Sequence, residues 1–199
     1  MPHSPWKVVE MFEQNVAEYC GSKYAVATDN CTDAILMCCQ YLNVAGKEVT
    51  IPSKTYLSVP QSILHAGATL KFRDYSWKGV YQLEPYPIYD AAKRFTSGMY
   101  IEDSFMCLSF HTKKHLKIGK GGMILTNSKE AVEWFKMARY EGRDHVHDDI
   151  EICGWNAYMT PEQAARGLTL LQVLPKHNED LPEDPPYRDL RELPLFRNK

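Results

Sequence analysis

The chain has 199 residues, 44% of them hydrophobic and 24% charged, with Lys plus Arg at 23 against 25 for Asp plus Glu. This is the composition of a globular chain able to bury one full core. The near balance of charge supplies no basic field for nucleic acid or an anionic membrane.

No apolar run reaches the length of a bilayer span, and the opening residues lack a signal-peptide pattern, so a cytoplasmic setting is expected. The six cysteines, Cys20, Cys31, Cys38, Cys39, Cys107 and Cys153, show no paired CxxC spacing. Reduced thiols fit that pattern better than a disulfide framework.

Apolar residues Val8, Val9, Phe12, Val16 and Tyr19 recur at helical spacing and predict a helix over 6–19 that stops at Gly21. KYAVAT reads as a buried strand. A helix follows from about Thr32, with Ala34, Ile35, Met37, Cys38 and Leu42 on its buried side. EVTIP is a strand, and YLSVPQSILHAG is a helix that closes at Gly67 and carries Pro60 in its first turn. TLKFRD, PIYD, MCLSFH and GGMILTN are strand candidates. SKEAVEWFKMARYEG is a helix with Ser128 as cap and Gly142 as its end. TPEQAARGLTLLQVL is a last helix with Thr160 as cap and Pro161 at its first position. The alternation predicts an α/β domain over 1–174, a mixed, mostly parallel sheet flanked by helices. Residues 175–199 are rich in Pro and charge and predict an extended tail lying on another surface or disordered.

Four segments carry candidate chemistry. SFHTKKHLKIGKGGM places a hydroxyl, a lysine and a glycine-rich turn at the rim of the sheet, where small-molecule sites form; a solvated basic loop is the alternative. PIYDAAK ends a strand on Asp90, either a buried carboxylate in need of a partner or a helix N-cap before AAKRF. TDNCTDAIL puts Asn30 and Thr32 at a helix start, suited to a phosphate or to plain capping. PSKTYLSV offers Tyr56 either to stack on a planar ring or to fill the core.

In this order the segments resemble the pyridoxal 5′-phosphate (PLP) dependent aminotransferases of the DegT type, which act on nucleotide-linked keto-sugars. The resemblance runs over about residues 12–174 and implies a reduced version of the large domain of fold-type I PLP-dependent transferases. NCT resembles the Asn-Gly-Thr of the family's phosphate loop, which implies Asn30, Cys31 and Thr32 as cofactor ligands. IPSKTYLSV implies Tyr56 as the stacking aromatic, and YDAAK implies Asp90 as partner of the pyridine nitrogen. SFHTKKHLKIGKGG is similar to SFHxxKxL...GxGG, which implies Ser109 on the phosphate and Lys114, rather than Lys113, as the Schiff-base lysine. GWNAYMTPEQAARG resembles GYNYRMTELQAALG and implies Asn156 on the phosphate of a partner subunit, hence a homodimer or larger assembly.

Departures are visible. Cys31 stands for glycine, Lys93 for a glutamine beside the cofactor, and Tyr158 for arginine. Residues 75–88 replace a helix–strand unit, and no counterpart of the smaller C-terminal domain follows. The resemblance implies transfer of an amino group from glutamate to a sugar nucleotide, with no nucleic acid or membrane as partner. Other PLP chemistry on a small substrate, with Lys93 as an added acid or base, is one alternative. An inert remnant acting as an interaction module, or a structural protein without cofactor, are others. His145, His147, Asp148 and Asp149 offer metal-ligand types in RDHVHDD, but no second ligand cluster accompanies them, so no metal is expected.

Overall fold

The structure is a computed structural model and describes residues 6–144, 149–183 and 186–197. Helix α1 (Lys7–Cys20) buries Val9, Phe12, Val16 and Cys20 along one stripe. It stops where Gly21 adopts a φ of 84° and returns its N–H to Ala17. There follow β1 (Tyr24–Thr28), α2 (Cys31–Tyr41), β2 (Glu48–Pro52), α3 (Ser58–His65) and β3 (Thr69–Arg73). Next come β4 (Tyr81–Leu83), β5 (Ile88–Asp90), β6 (Phe105–Ser109) and β7 (Gly122–Thr126). Helices α4 (Lys129–Ala138) and α5 (Pro161–Gln172) complete the layers.

The larger sheet has the order β1-β7-β6-β5-β4. The β2–β3 pair extends it through a bridge in which Thr50 and Glu84 exchange backbone bonds of 2.8 and 3.0 Å. Parallel pairs are β5–β6 and β2–β3, while β7 opposes both its neighbours and β4 opposes β5. With the Thr50–Glu84 bridge also antiparallel, β1, β6, β5, β2 and β3 share one direction and only β7 and β4 run against it. The sheet is mixed and flanked by helices, as expected; most strands share one direction, although antiparallel neighbours outnumber parallel ones.

Period-two alternation splits the core into two layers. Val26, Cys107 and Ile124 face the side covered by α2, α3 and α4. Their neighbours Ala25, Ala27, Met106, Leu108, Met123 and Leu125 face α1 and α5.

Three details depart from the sequence reading. Strand β4 was not expected; it forms from the shortened 75–88 stretch as an antiparallel partner of β5. AAKRF forms a turn and not a helix. Helix α4 ends at Ala138 rather than near Gly142: the Ala138 carbonyl accepts the Trp155 N–H, and the C-cap is Arg139. Its guanidinium pairs with buried Glu13 and donates to the Ala27 carbonyl at 2.7 Å, while Glu13 accepts the Ala27 N–H at 2.8 Å.

The described residues after Leu174 lie on the surface of their own domain, without regular structure up to two short 3-10 helices, Leu190–Glu192 and Pro194–Phe196. Ser97 donates its N–H to Lys176 and Leu190 donates to Ser53. The Leu190 and Phe196 side chains are buried in the α2–α3 side of the core.

Candidate active site

Asp90 closes β5, where strand register sets it beside Tyr81 on β4 and Cys107 on β6. The residue is only 4% exposed. Oδ2 accepts the Tyr81 hydroxyl at 3.0 Å, and Oδ1 accepts the Ala92 N–H at 2.9 Å. The latter is a turn bond, since no helix follows. Tyr81 Oη also lies 2.6 Å from Thr55 Oγ1. Burial pushes the Asp90 carboxyl above its ordinary value, against the pull of the Ala92 and Tyr81 bonds and the charges of Lys114 and Lys93. Among the described residues no Lys, Arg or His nitrogen pairs with it within ion-pair distance. A carboxylate in that setting has capacity for one more cationic partner.

Lys114 sits on the loop between β6 and β7, whose ends are fixed by the Ser109–Gly122 register pair. Its N–H closes a turn onto His111 at 2.9 Å. The lysine is half-buried, and its charge acts on both Asp90 and Cys31. Lys113, by contrast, is exposed. Ser109 is half-buried at the end of β6, its Oγ near the His111 N–H at 3.5 Å.

Asn30 caps α2: its Oδ1 accepts the Asp33 N–H at 2.9 Å and its amide donates to Asp33 Oδ2 at 2.6 Å. Cys31 opens the helix, its thiol pushed well up by burial and by nearby Asp90 and Cys107. Thr32 Oγ1 donates to Ser58 Oγ at 2.8 Å and ties α2 to the start of α3. Gly122 passes so close to this turn that a Cβ would overlap the Asn30 carbonyl and Thr28. Tyr56 is 55% exposed, which sets aside the core alternative. Asn156 is also exposed and donates to Glu141 Oε1 at 3.2 Å.

Lys93 is buried, and what buries it was not anticipated. Its Nζ donates to the Pro182 carbonyl at 2.8 Å and lies 4.6 Å above the Tyr187 ring. Burial and the charge of Lys114 pull its amine down, while Glu183 and Asp90 act the other way. Tyr187 stacks on Trp77 with centroids 6.0 Å apart and planes 19° apart. Its phenol is raised by burial and by Asp90, Glu183, Tyr56 and Cys31. Sequence reasoning missed Trp77, Tyr81 and Tyr187. The available signal for Tyr187 was an aromatic ring inside an otherwise polar, Pro-rich stretch.

His145, His147 and Asp148 lie outside the described residues, and Asp149 is exposed. Among the described residues no group of three or more His, Cys, Asp and Glu side chains could hold a metal. A surface cleft of about 360 Å³ lined by Trp6, Tyr140 and Tyr158 among others shares no residue with the Asp90 group. Tyr158 packs edge-on to Trp6 there, centroids 5.1 Å apart.

A strand-end carboxylate, a loop amine and a helix start on this three-layer frame define a reduced large domain of the fold-type I PLP-dependent transferase kind. Solved structures share the fold. A DegT DnrJ EryC1 StrS aminotransferase from Brucella abortus matches with a TM-score of 0.72 and 22% identity, over 84% of this chain and 58% of its own. PseC of Helicobacter pylori, an aminotransferase involved in the biosynthesis of pseudoaminic acid, matches with a TM-score of 0.70 and 18% identity, over 87% of this chain and 59% of its own.

The chain belongs to the DegT/DnrJ/EryC1/StrS aminotransferase family, whose model matches residues 4–101 and 101–181. GDP-perosamine synthase of Caulobacter vibrioides is 28% identical over 211 aligned positions, 83% of this chain. This chain spans 57% of that relative's length.

Proposed function

We propose that this chain binds PLP and moves an amino group from glutamate to a keto-sugar carried on a nucleotide. The observation that carries the reading is the buried Asp90 carboxylate within reach of the Lys114 charge. The residues present fit the cofactor. Asp90 has two hydrogen bonds and capacity for a cationic ring nitrogen. The capped start of α2 offers unpaired N–H groups and a favourable dipole to a phosphate. Gly122 gives that turn its close seat on β7.

Bound there, PLP supplies an electron sink that acidifies the α-hydrogen of an amino acid. Asp90 would hold the pyridine nitrogen protonated. Asn30, Cys31, Thr32 and Ser109 would secure the phosphate, and Tyr56 would cover a face of the ring. Lys114 Nζ would capture the carbonyl and, once released, carry the proton between donor and acceptor carbons. Lys93 would place a second amine beside the ring. Asn156, exposed in one chain, would reach the phosphate of a second copy, so the working unit is at least a homodimer. The sugar-nucleotide acceptor is supported by the name of the GDP-perosamine synthase relative.

The test is to purify the full chain with PLP, record its visible spectrum and add glutamate. Yellow absorbance that bleaches on adding glutamate is expected. A colourless protein indifferent to added PLP overturns the reading.

A further inference from the structure

We propose that the C-terminal segment is a strap that competes with the cofactor for the Asp90–Lys114 site, so that ligand binding there requires it to open. The inference rests on the reading of that site as the PLP site.

The strap is fixed at both ends. On one side Thr96 and Ser97 hold the Lys176 carbonyl, and Asn178 bonds to Tyr19, Phe95 and Pro175. Arg94 then makes two bonds to Asp180, at 2.8 and 2.7 Å, and Leu181 donates its N–H to the Lys93 carbonyl. On the other side Leu190 donates to Ser53, and the Leu190 and Phe196 side chains are in the core.

Between these anchors the chain meets the site itself. Pro182 takes the Lys93 amine, and Tyr187 lays its ring over the same amine and against Trp77. Its phenol feels Asp90, Tyr56 and Cys31, three positions assigned to PLP. A planar ring bearing a hydroxyl therefore lies over Lys93, the amine that the PLP reading sets beside the cofactor.

The central contacts differ in kind from the end anchors. A cation–ring contact, one ring stack and one carbonyl bond can be exchanged for solvent or ligand, whereas Leu190 and Phe196 stay seated. Pro182 and Tyr187 can therefore release Lys93 while the anchors on either side hold. Because a closed strap leaves only a fraction of molecules competent, the apparent dissociation constant for PLP is raised by the inverse of that fraction.

The experiment titrates PLP into the full-length wild type, Tyr187→Ala and Asp180→Asn, with thermal melts to confirm folding, and follows tryptic cleavage at Arg188 with and without PLP. Expected are a roughly 10-fold tighter dissociation constant for Tyr187→Ala, a smaller gain for Asp180→Asn, and faster cleavage at Arg188 once PLP is bound. If Tyr187→Ala does not fold, Asp180→Asn and the cleavage rates decide. Unchanged or weaker affinity in folded variants, or protection of Arg188 by PLP, overturns the strap while leaving the PLP site standing. Folded wild type and variants that all ignore PLP overturn both.

Discussion

Tyr81 bridges two parts of the site: its hydroxyl donates to Asp90 at 3.0 Å and lies 2.6 Å from Thr55 Oγ1. The phenol is buried, so replacing it with a phenyl ring leaves a hydroxyl and a carboxylate oxygen short of a partner. Tyr81→Phe is expected to cost about 1–3 kcal/mol in urea denaturation, the usual penalty for a buried polar group left unsatisfied. It also removes one of the bonds that hold the Asp90 carboxyl down, so PLP affinity should fall with stability. An unchanged denaturation midpoint would show that Tyr81 carries no structural weight.

Three lysines compete for the role of carbonyl-capturing amine. Lys114→Ala is expected to abolish both the yellow colour and its bleaching by glutamate. Lys93→Met and Lys113→Ala should keep the colour. Borohydride reduction of the wild type followed by peptide mapping should place the cofactor on the peptide containing Lys114. Attachment at Lys93 would reassign the reacting amine to the residue that the Pro182 carbonyl and Tyr187 ring now hold.

How far the sequence foretold this arrangement depended on how local each signal is. EVTIP coincides with β2, and the Thr160–Gln163 capping box marks the start of α5, because both are written in adjacent residues. Strand β4 has three residues, too few for a period, and it exists through pairing with β5. Taken alone, Asp90 read more readily as a helix cap than as a buried carboxylate, because the Ala92 N–H bond is local; burial separates the readings. The segment after Leu174 read as a tail lying on another surface or disordered because its partners Arg94, Trp77 and Lys93 lie some hundred residues earlier.

The Glu13–Arg139 pair joins α1, β1 and the end of α4 in a nearly dry setting, the side chains 6% and 10% exposed. Arg139→Met strands the Glu13 carboxylate and is expected to lose about 3–5 kcal/mol in chemical denaturation. Glu13→Gln combined with Arg139→Met should cost less than the sum of the single changes, because the partners share one interaction. Strict additivity would count against that coupling.

Gly122→Ala tests the seat of the helix start. A methyl group there overlaps the Asn30 carbonyl, so β7 or the turn into α2 must shift. A stability loss of about 1–3 kcal/mol is expected, together with weaker PLP binding and smaller losses for pyridoxal, which lacks the phosphate. Equal losses for the two ligands would place the damage elsewhere than at the phosphate end.

Acid should loosen the C-terminal segment. Hydrogen bonds from Arg191 hold the Asp189 carboxyl down to about 2, and Arg94 lowers Asp180. Carboxyls lowered in the folded state stabilise it above their unfolded value near about 3.9, and that support fades as pH falls through the folded value. Asp90 has the opposite sign: its raised carboxyl costs stability once ionised and relieves that cost on protonation. Pepsin cleavage within residues 186–197 should therefore rise between about pH 4 and pH 2 ahead of global unfolding. Simultaneous loss of strap and core signals would contradict this order.

Cys31, Tyr56, Asp90, Lys114 and Tyr187 come from five separate stretches, so each meeting closes a loop of tens of residues. Contacts so remote along the chain are entropically expensive and form after local helices. In refolding, recovery of ligand capture should lag behind recovery of helical signal and report the last kinetic phase, the docking of distant segments across a finished sheet.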